Sequence, residues 1–261
     1  MPDLQFPIRA LILDMDGVLW RGDQPIGDLP AIFNRIKSKG LKCVLATNNA
    51  TLSAGKALAK LKSFGVELEC WQIVNSADAA AHYLKCRFPS GGPIYVVGES
   101  ALEEILSEQG FFHAEDDVLA VVAGMDRKLN YAKLGKASLL IRNGALFVGT
   151  NPDRTFPTPQ GLLPGSGAIL AFLQAATDVS PVIIGKPEPE MYRVALERLS
   201  TKPEETLAVG DRLETDIIGA QKIGCRTSLV LSGVTTEQAA IEWRPAPDII
   251  APDLTTLIGM F

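Results

Sequence analysis

Short apolar runs alternate with longer amphipathic stretches almost without interruption from residue 9 to residue 250. RALILD (9–14), KCVLAT (42–47), IYVVG (94–98), VLAVVAG (118–124), ALFVGT (145–150), TLAVGD (206–211) and RTSLVLSG (226–233) read as strands. A further apolar run, PVIIG, lies within VSPVIIGKPEP (179–189), and a last short strand lies near PDII. The stretches between them read as helices, and the first two, LPAIFNRIKSKG and LSAGKALAKLKSFG, close on glycine, a common stop signal. Strands joined by helices this regularly imply an α/β chain built on a doubly wound parallel sheet. No internal repeat or low-complexity tract competes with that reading.

Polar residues sit where several of these strands end. The first strand ends in Asp14-Met15-Asp16-Gly17, the second in Thr47-Asn48-Asn49, PVIIG in Gly185-Lys186-Pro187, and TLAVGD in Asp211 with Asp216 five residues on. Ligands of open parallel sheets bind beyond the carboxyl ends of the strands, so these stretches would meet there if the four strands are neighbours. Asp-x-Asp alone is a weak signal. The ordered set is stronger, and it answers why two aspartates should follow an apolar strand so closely. Asp14, Asp16 and Asp211 at one point would repel each other unless a hard divalent cation such as Mg2+ stood among them. Lys186 and the Thr47 hydroxyl would add contacts for an anion, and Gly17 would let the chain turn directly after the acids. The segment from about 80 to 180 lacks such a cluster. A core of residues 1–79 and 180–261 interrupted by a smaller α/β domain at 80–179 is therefore expected.

Composition narrows the function classes. The net charge of −5 argues against a nucleic-acid partner, whose phosphates need a basic face. No apolar stretch approaches the roughly 18 residues that span a membrane. Cys43, Cys70, Cys86 and Cys225 show no metal-like spacing and read as reduced, mostly buried thiols of a cytoplasmic protein. A Walker-type site is not expected, because proline follows Lys186 where Ser or Thr would be needed.

DMDGVLW, ATNNA, GKPEPEMY and VGDRLETDI resemble the four motifs of the haloacid-dehalogenase-like hydrolases. The match is closer to subfamily IIA, whose members include p-nitrophenyl-phosphatase-like, phosphoglycolate and nucleotide phosphatases, and the stretches YAKLGKASLLIRNGALFVGTNPD and LPGSGAIL resemble its cap. The resemblance implies an Mg2+-dependent phosphatase of small phosphorylated metabolites. Asp14 would be the nucleophile, forming an aspartyl-phosphate, and Asp16 the general acid and base. Asp14, the Asp16 carbonyl and Asp211 would hold the metal. Thr47 and Lys186 would bind the phosphoryl group, with Asn48 and Asn49 beside the substrate, and Asp216 would orient Lys186 or a metal-bound water from behind. Met125, Asp126 and Phe156 are the cap positions that the resemblance turns toward the substrate; the two apolar ones would favour an uncharged or planar leaving group. Analogy also points to a homodimer.

Blander readings stand beside several of these. The blander reading of Asp216 is a helix-start acid favoured by the macrodipole. Asn49 would bind substrate or cap the next helix. NPD (151–153) is read as a turn that shapes the cap, and GSG (165–167) as tight packing rather than a dinucleotide fingerprint. His82 and His113 are read as structural. A phosphotransferase, or a binding protein that kept the fold without turnover, are the alternatives to a phosphatase.

Overall fold

The computed structural model describes residues 7–158 and 160–261. The chain forms two compact units. The first takes the chain up to Thr47, Ala54–Val74 and Pro187–Phe261; the second takes Asn48–Ser53 and Asn75–Lys186.

The first unit is organised by a six-stranded sheet in the order Ile249–Ala251, Arg226–Val230, Thr206–Gly210, Ala10–Leu13, Lys42–Thr47, Ile73–Asn75. Its pairs from Ile249–Ala251 through Lys42–Thr47 all run parallel. ALIL at 10–13 is entirely buried, as expected of a central parallel strand covered on both faces. The chain moves from Ala10–Leu13 to one side of the sheet, then returns on the other side beginning with Thr206–Gly210. The strand order therefore reverses between these two, which is where an open α/β sheet leaves a crevice at its carboxyl edge. Asp14 and Asp211 are the first residues past the two strands.

The second unit has its own five-stranded sheet, ordered Val182–Ile183, Leu146–Gly149, Ala120–Ala123, Gly92–Val97, Phe111–His113, with every pair parallel. Its core joins Tyr95, Val121 and Phe147 of the sheet to Leu134 and Ile141 of the helix Tyr131–Arg142 and to Leu170 and Leu173 of the helix Ser166–Thr177. The helix Ser76–Arg87 starts at Asn75, whose side chain accepts from the N–H groups of Ala77 and Asp78 at 2.9 Å each, while Asp78 accepts from the Asn75 N–H. This is a reciprocal capping box. The turn FPSGGP joins that helix to Gly92–Val97 within the second unit.

One expectation needs correction. The apolar run before Lys186 does not enter the sheet that carries Asp14. Val182–Ile183 pairs with Leu146–Gly149, and the N–H groups of Ile184 and Gly185 continue the ladder to the carbonyls of Gly149 and Thr150 at 3.0 and 2.7 Å. An apolar run names a buried strand but not its partner, and here the backbone donors are satisfied by the second unit. The unit boundaries accordingly fall at Val74/Asn75 and Lys186/Pro187, rather than at residues 79 and 180. The cysteines also differ from expectation. Cys43 and Cys225 are buried, and burial pushes both thiols up to about 12. Cys70 and Cys86 are exposed. Among the described residues, no helix is long and apolar enough to cross a membrane.

Candidate active site

Asp14 is fixed by the sheet itself, because its N–H donates to the Val209 carbonyl at 2.9 Å, one step beyond the last paired residues. Met15 is wholly buried, and its carbonyl gathers the N–H groups of Val18, Leu19 and Trp20 at 3.4, 2.8 and 3.3 Å. The loop is therefore wound around a side chain locked in the core. Gly17 has φ +85°, a conformation that costs L side chains energy, so glycine is required there. Side chains in this stretch alternate in exposure: Asp14 is half-buried, Met15 buried and Asp16 exposed.

Asp211 is only 2 % exposed. Its Oδ2 accepts from the Val234 N–H at 2.8 Å. Asp216 is buried on a π-turn over Leu213–Ile217, where the Ile217 N–H reaches back five residues to the Arg212 carbonyl. Such turns insert one extra residue into a helix and recur at functional sites. The Asp216 Oδ2 accepts from the Arg212 N–H at 3.1 Å, and the buried Tyr192 hydroxyl donates to the Asp216 carbonyl at 2.8 Å. Gly210 has no room for a Cβ, which would strike the Asp216 carboxylate.

Together these elements bring carboxylate oxygens of Asp14, Asp211 and Asp216 within 4.8 Å of one another. At that spacing each pair of ionised acids repels by about 3 kcal/mol at an effective dielectric of 20. Three crowded carboxylate oxygens, two of the acids buried, form a hard all-oxygen donor set. That donor chemistry fits a small divalent cation such as Mg2+.

The trio differs from the one expected. Asp216 takes the place of the Asp16 side chain. Residues two apart after a strand project differently, and the Asp16 carboxylate accepts from the Trp20 indole Nε1 at 2.9 Å instead. That indole is buried, with the Lys60 ammonium 4.7 Å above its ring. Thr47 closes the neighbouring strand and is also buried.

The remaining expected site residues belong to the second unit. Lys186, 3 % exposed, is its last residue. The Asn48 side-chain amide donates to the Lys186 carbonyl at 2.9 Å and to Asp153 at 3.2 Å, and the Asn151 amide donates to the Asn48 carbonyl at 2.8 Å. Both N–H donors of Asn48 are thus engaged inside the protein, where the residue braces the Lys186 carbonyl and Asp153. Asn49 accepts from the Thr51 N–H and hydroxyl at 3.0 and 2.8 Å, closing an Asx turn ahead of the helix Ala54–Ser63. The NPD stretch is a packed corner. A Cβ on Gly165 would lie 2.5 Å from the Asp153 carbonyl oxygen, and one on Gly167 would strike that of Pro152. Both GSG glycines are therefore packing glycines. Met125 and Phe156 are half-buried. Asp126 is buried and accepts from Lys133 Nζ at 2.6 Å and from the Lys128 N–H at 2.8 Å, so its charge is answered locally. His113 accepts from the Val96 N–H at 3.1 Å, a structural role as expected.

Sequence reasoning missed Val234, Tyr192 and Trp20. The first acts through a main-chain N–H, which no residue type announces. The other two look like ordinary core aromatics.

Comparison with known proteins gives the chain's relatives. The model of the haloacid dehalogenase-like hydrolases matches residues 11–112, and a HAD-hydrolase-like model matches residues 183–257. The chain is 37 % identical over 252 residues to the acid sugar phosphatase of Staphylococcus aureus strain USA300, covering 96 % of this chain and 97 % of the relative. Among solved structures, the p-nitrophenyl phosphatase of Archaeoglobus fulgidus superposes with a TM-score of 0.92 at 31 % identity, covering 98 % of this chain and all (100 %) of the other. A glycerol phosphate phosphatase of Mycobacterium tuberculosis, in complex with magnesium, superposes with a TM-score of 0.89 at 35 % identity, covering 96 % and 76 %. The chain belongs to the haloacid dehalogenase-like hydrolases. Within them it is a phosphatase of the subfamily IIA kind: a catalytic core interrupted by a smaller α/β cap domain.

Proposed function

We propose that the protein hydrolyses small phosphomonoesters with Mg2+, through a phosphoryl group carried transiently by Asp14. The observation that carries this reading is the Asp14–Asp211–Asp216 trio at the point where the strand order reverses. Asp14 and Asp211 would hold the cation with the main-chain carbonyl of Asp16, while Asp216 supports them from the π-turn. When bound, Mg2+ offsets the repulsion among the acids and neutralises charge on the phosphoryl oxygens.

The steps fall to the chain's own residues. An Asp14 carboxylate oxygen attacks phosphorus; the bond to the leaving oxygen breaks, and Asp16 gives that oxygen a proton. Asp16 then takes a proton from water, which attacks phosphorus and breaks the bond to Asp14, restoring the carboxylate. An exposed Asp16 suits proton exchange, and the Trp20 indole holds its carboxylate in place. Thr47 and Lys186 bind the phosphoryl oxygens. Asp14 and Asp16 perform the bond-making and proton-transfer steps, and the apolar Met125 and Phe156 favour an uncharged leaving group, such as a polyol, sugar or aryl alcohol. The neutralisation of Asp126 by Lys133 supports that choice, because the Asp126 charge is already engaged.

The test is phosphate release from sugar phosphates, glycerol phosphate, p-nitrophenyl phosphate, phosphoglycolate and nucleoside monophosphates, with Mg2+ and with EDTA. Release that needs Mg2+, disappears in Asp14→Asn, and is accompanied by acid-stable trapping of phosphate on Asp14 is the expected result. Release that persists in Asp14→Asn would overturn the mechanism. A strong preference for phosphoglycolate would overturn the reading of the leaving group.

A further inference from the structure

We infer that the segment Ser232–Gly233–Val234 is a positioning clamp that sets the protein's affinity for its divalent cation. The inference rests on the reading of Asp211 as a metal ligand.

The segment follows the strand Arg226–Val230 and holds both sides of the trio. On one side, the Val234 N–H donates to Asp211 Oδ2 at 2.8 Å, and the Thr235 N–H donates to the Asp211 carbonyl at 3.3 Å. On the other, the Ser232 hydroxyl donates to the Gly17 carbonyl at 2.7 Å, fixing the turn that carries Asp14 and Asp16. The Ser232 carbonyl in turn accepts from Arg21 Nε at 2.7 Å, so the clamp is tied back to the chain just past that turn.

Gly233 explains why the segment must be close. A Cβ there would collide with the Cβ, Cγ and Oδ2 of Asp211. Gly17 also borders the Asp211 carboxylate, since a Cβ on Gly17 would lie 2.5 Å from Asp211 Oδ2 and 3.1 Å from the Gly233 Cα. The two glycines differ in one respect. Gly17 has a positive φ, whereas Gly233 does not. Gly233 lies outside the left-handed region, so a positive φ is not what demands glycine there. The carboxylate does. The whole Asp211 side chain, rather than its flexible tip alone, occupies the space that a side chain at 233 would need.

A residue that merely stabilised the fold would change melting temperature and leave metal affinity alone. A positioning residue changes metal affinity, whether or not the melting temperature also moves. Calorimetric titration of the full chain with Mg2+ alone separates the two. Gly233→Ala is expected to weaken Mg2+ binding at least about tenfold, in the range that metal-supporting residues produce, with turnover of p-nitrophenyl phosphate recovered in part at higher Mg2+. Ser232→Ala, which fills no space, is expected to weaken binding about threefold through loss of the Gly17 contact alone and serves if Gly233→Ala does not fold. Mg2+ affinities within twofold of wild type in every variant that folds would overturn the clamp. Asp211→Asn is the control for the underlying reading. If Asp211→Asn binds Mg2+ like wild type, that reading fails; if it abolishes binding while the clamp variants bind normally, only the clamp fails.

Discussion

The two units each carry a parallel sheet whose strand order reverses, and they differ in how they treat acids at that place. In the first, strand order reverses between Ala10–Leu13 and Thr206–Gly210, and Asp14, Asp211 and Asp216 are set against one another within 4.8 Å. In the second, it reverses between Gly92–Val97 and Ala120–Ala123. The acids past those strands, Glu99 and Asp126, each take a cation from their own unit. Arg127 grips Glu99 with two hydrogen bonds at 2.5 and 2.8 Å, and Lys133 meets Asp126 at 2.6 Å. A reversal of strand order therefore offers a crevice, but side-chain charge decides its use. Acids paired from within are structural. Acids crowded together suit a cation from outside and lower stability without one.

The contrast can be broken at several points. The largest effect is expected from Asp14→Asn, which should reduce steady-state phosphate release at least about 10⁴-fold, as loss of a nucleophile does. Next, Asp126→Ala in the second unit should lower stability to denaturant by about 1–3 kcal/mol, because it removes the charged partner of the half-buried Lys133 ammonium and leaves the Lys128 N–H without its acceptor. The opposite sign is expected in the first unit: with EDTA present, Asp14→Asn should be more stable than wild type by about 1 kcal/mol, since it relieves like-charge crowding. A loss of stability there would mean that the acids are structural, and the comparison would collapse. The smallest effect concerns Glu99. Its hydrogen bonds to Arg127 hold its carboxyl below the ordinary glutamate value. A carboxyl depressed on folding contributes stability at all pH above its unfolded value and loses it as pH falls through the folded one. The pair is surface-accessible, so wild type should lose about 0.5 kcal/mol in acid that Glu99→Gln does not lose. Urea melts at neutral and acid pH would show a gap closing as pH falls.

Much of this was legible in the chain. Strand–helix alternation gives both parallel sheets, and aspartates that follow wholly apolar strands give Asp14 and Asp211. Several features were hidden, most of them for a plain physical reason. The partner of Val182–Ile183 was hidden because two apolar residues fit the edge of either sheet. That the Asp216 carboxylate, rather than that of Asp16, crowds Asp14 and Asp211 was hidden because helical periodicity does not reveal the extra residue of a π-turn. The hairpins Trp20–Arg21/Gln24–Pro25 and Thr155–Thr158/Gly161–Pro164 were hidden because strands this short carry no alternation. The helix Leu254–Gly259 also escaped notice, although Asp253 caps it by accepting from the Thr256 N–H at 2.7 Å.

The hydrogen bond between Trp20 and Asp16 also has an optical consequence. An indole's emission shifts with the electric field across its ring, and this one is enclosed, bonded to the proposed proton-transfer carboxylate and capped by a lysine ammonium. Trp71 is exposed and hydrogen-bonded to Glu69 at 3.1 Å, so it emits from a different, wetter setting. The protein thus carries an unlabelled fluorophore hydrogen-bonded to the residue proposed as its general acid and base. Protonation of Asp16 during turnover should register as a change in ultraviolet emission, readable in a stopped-flow cuvette on the timescale of the reaction.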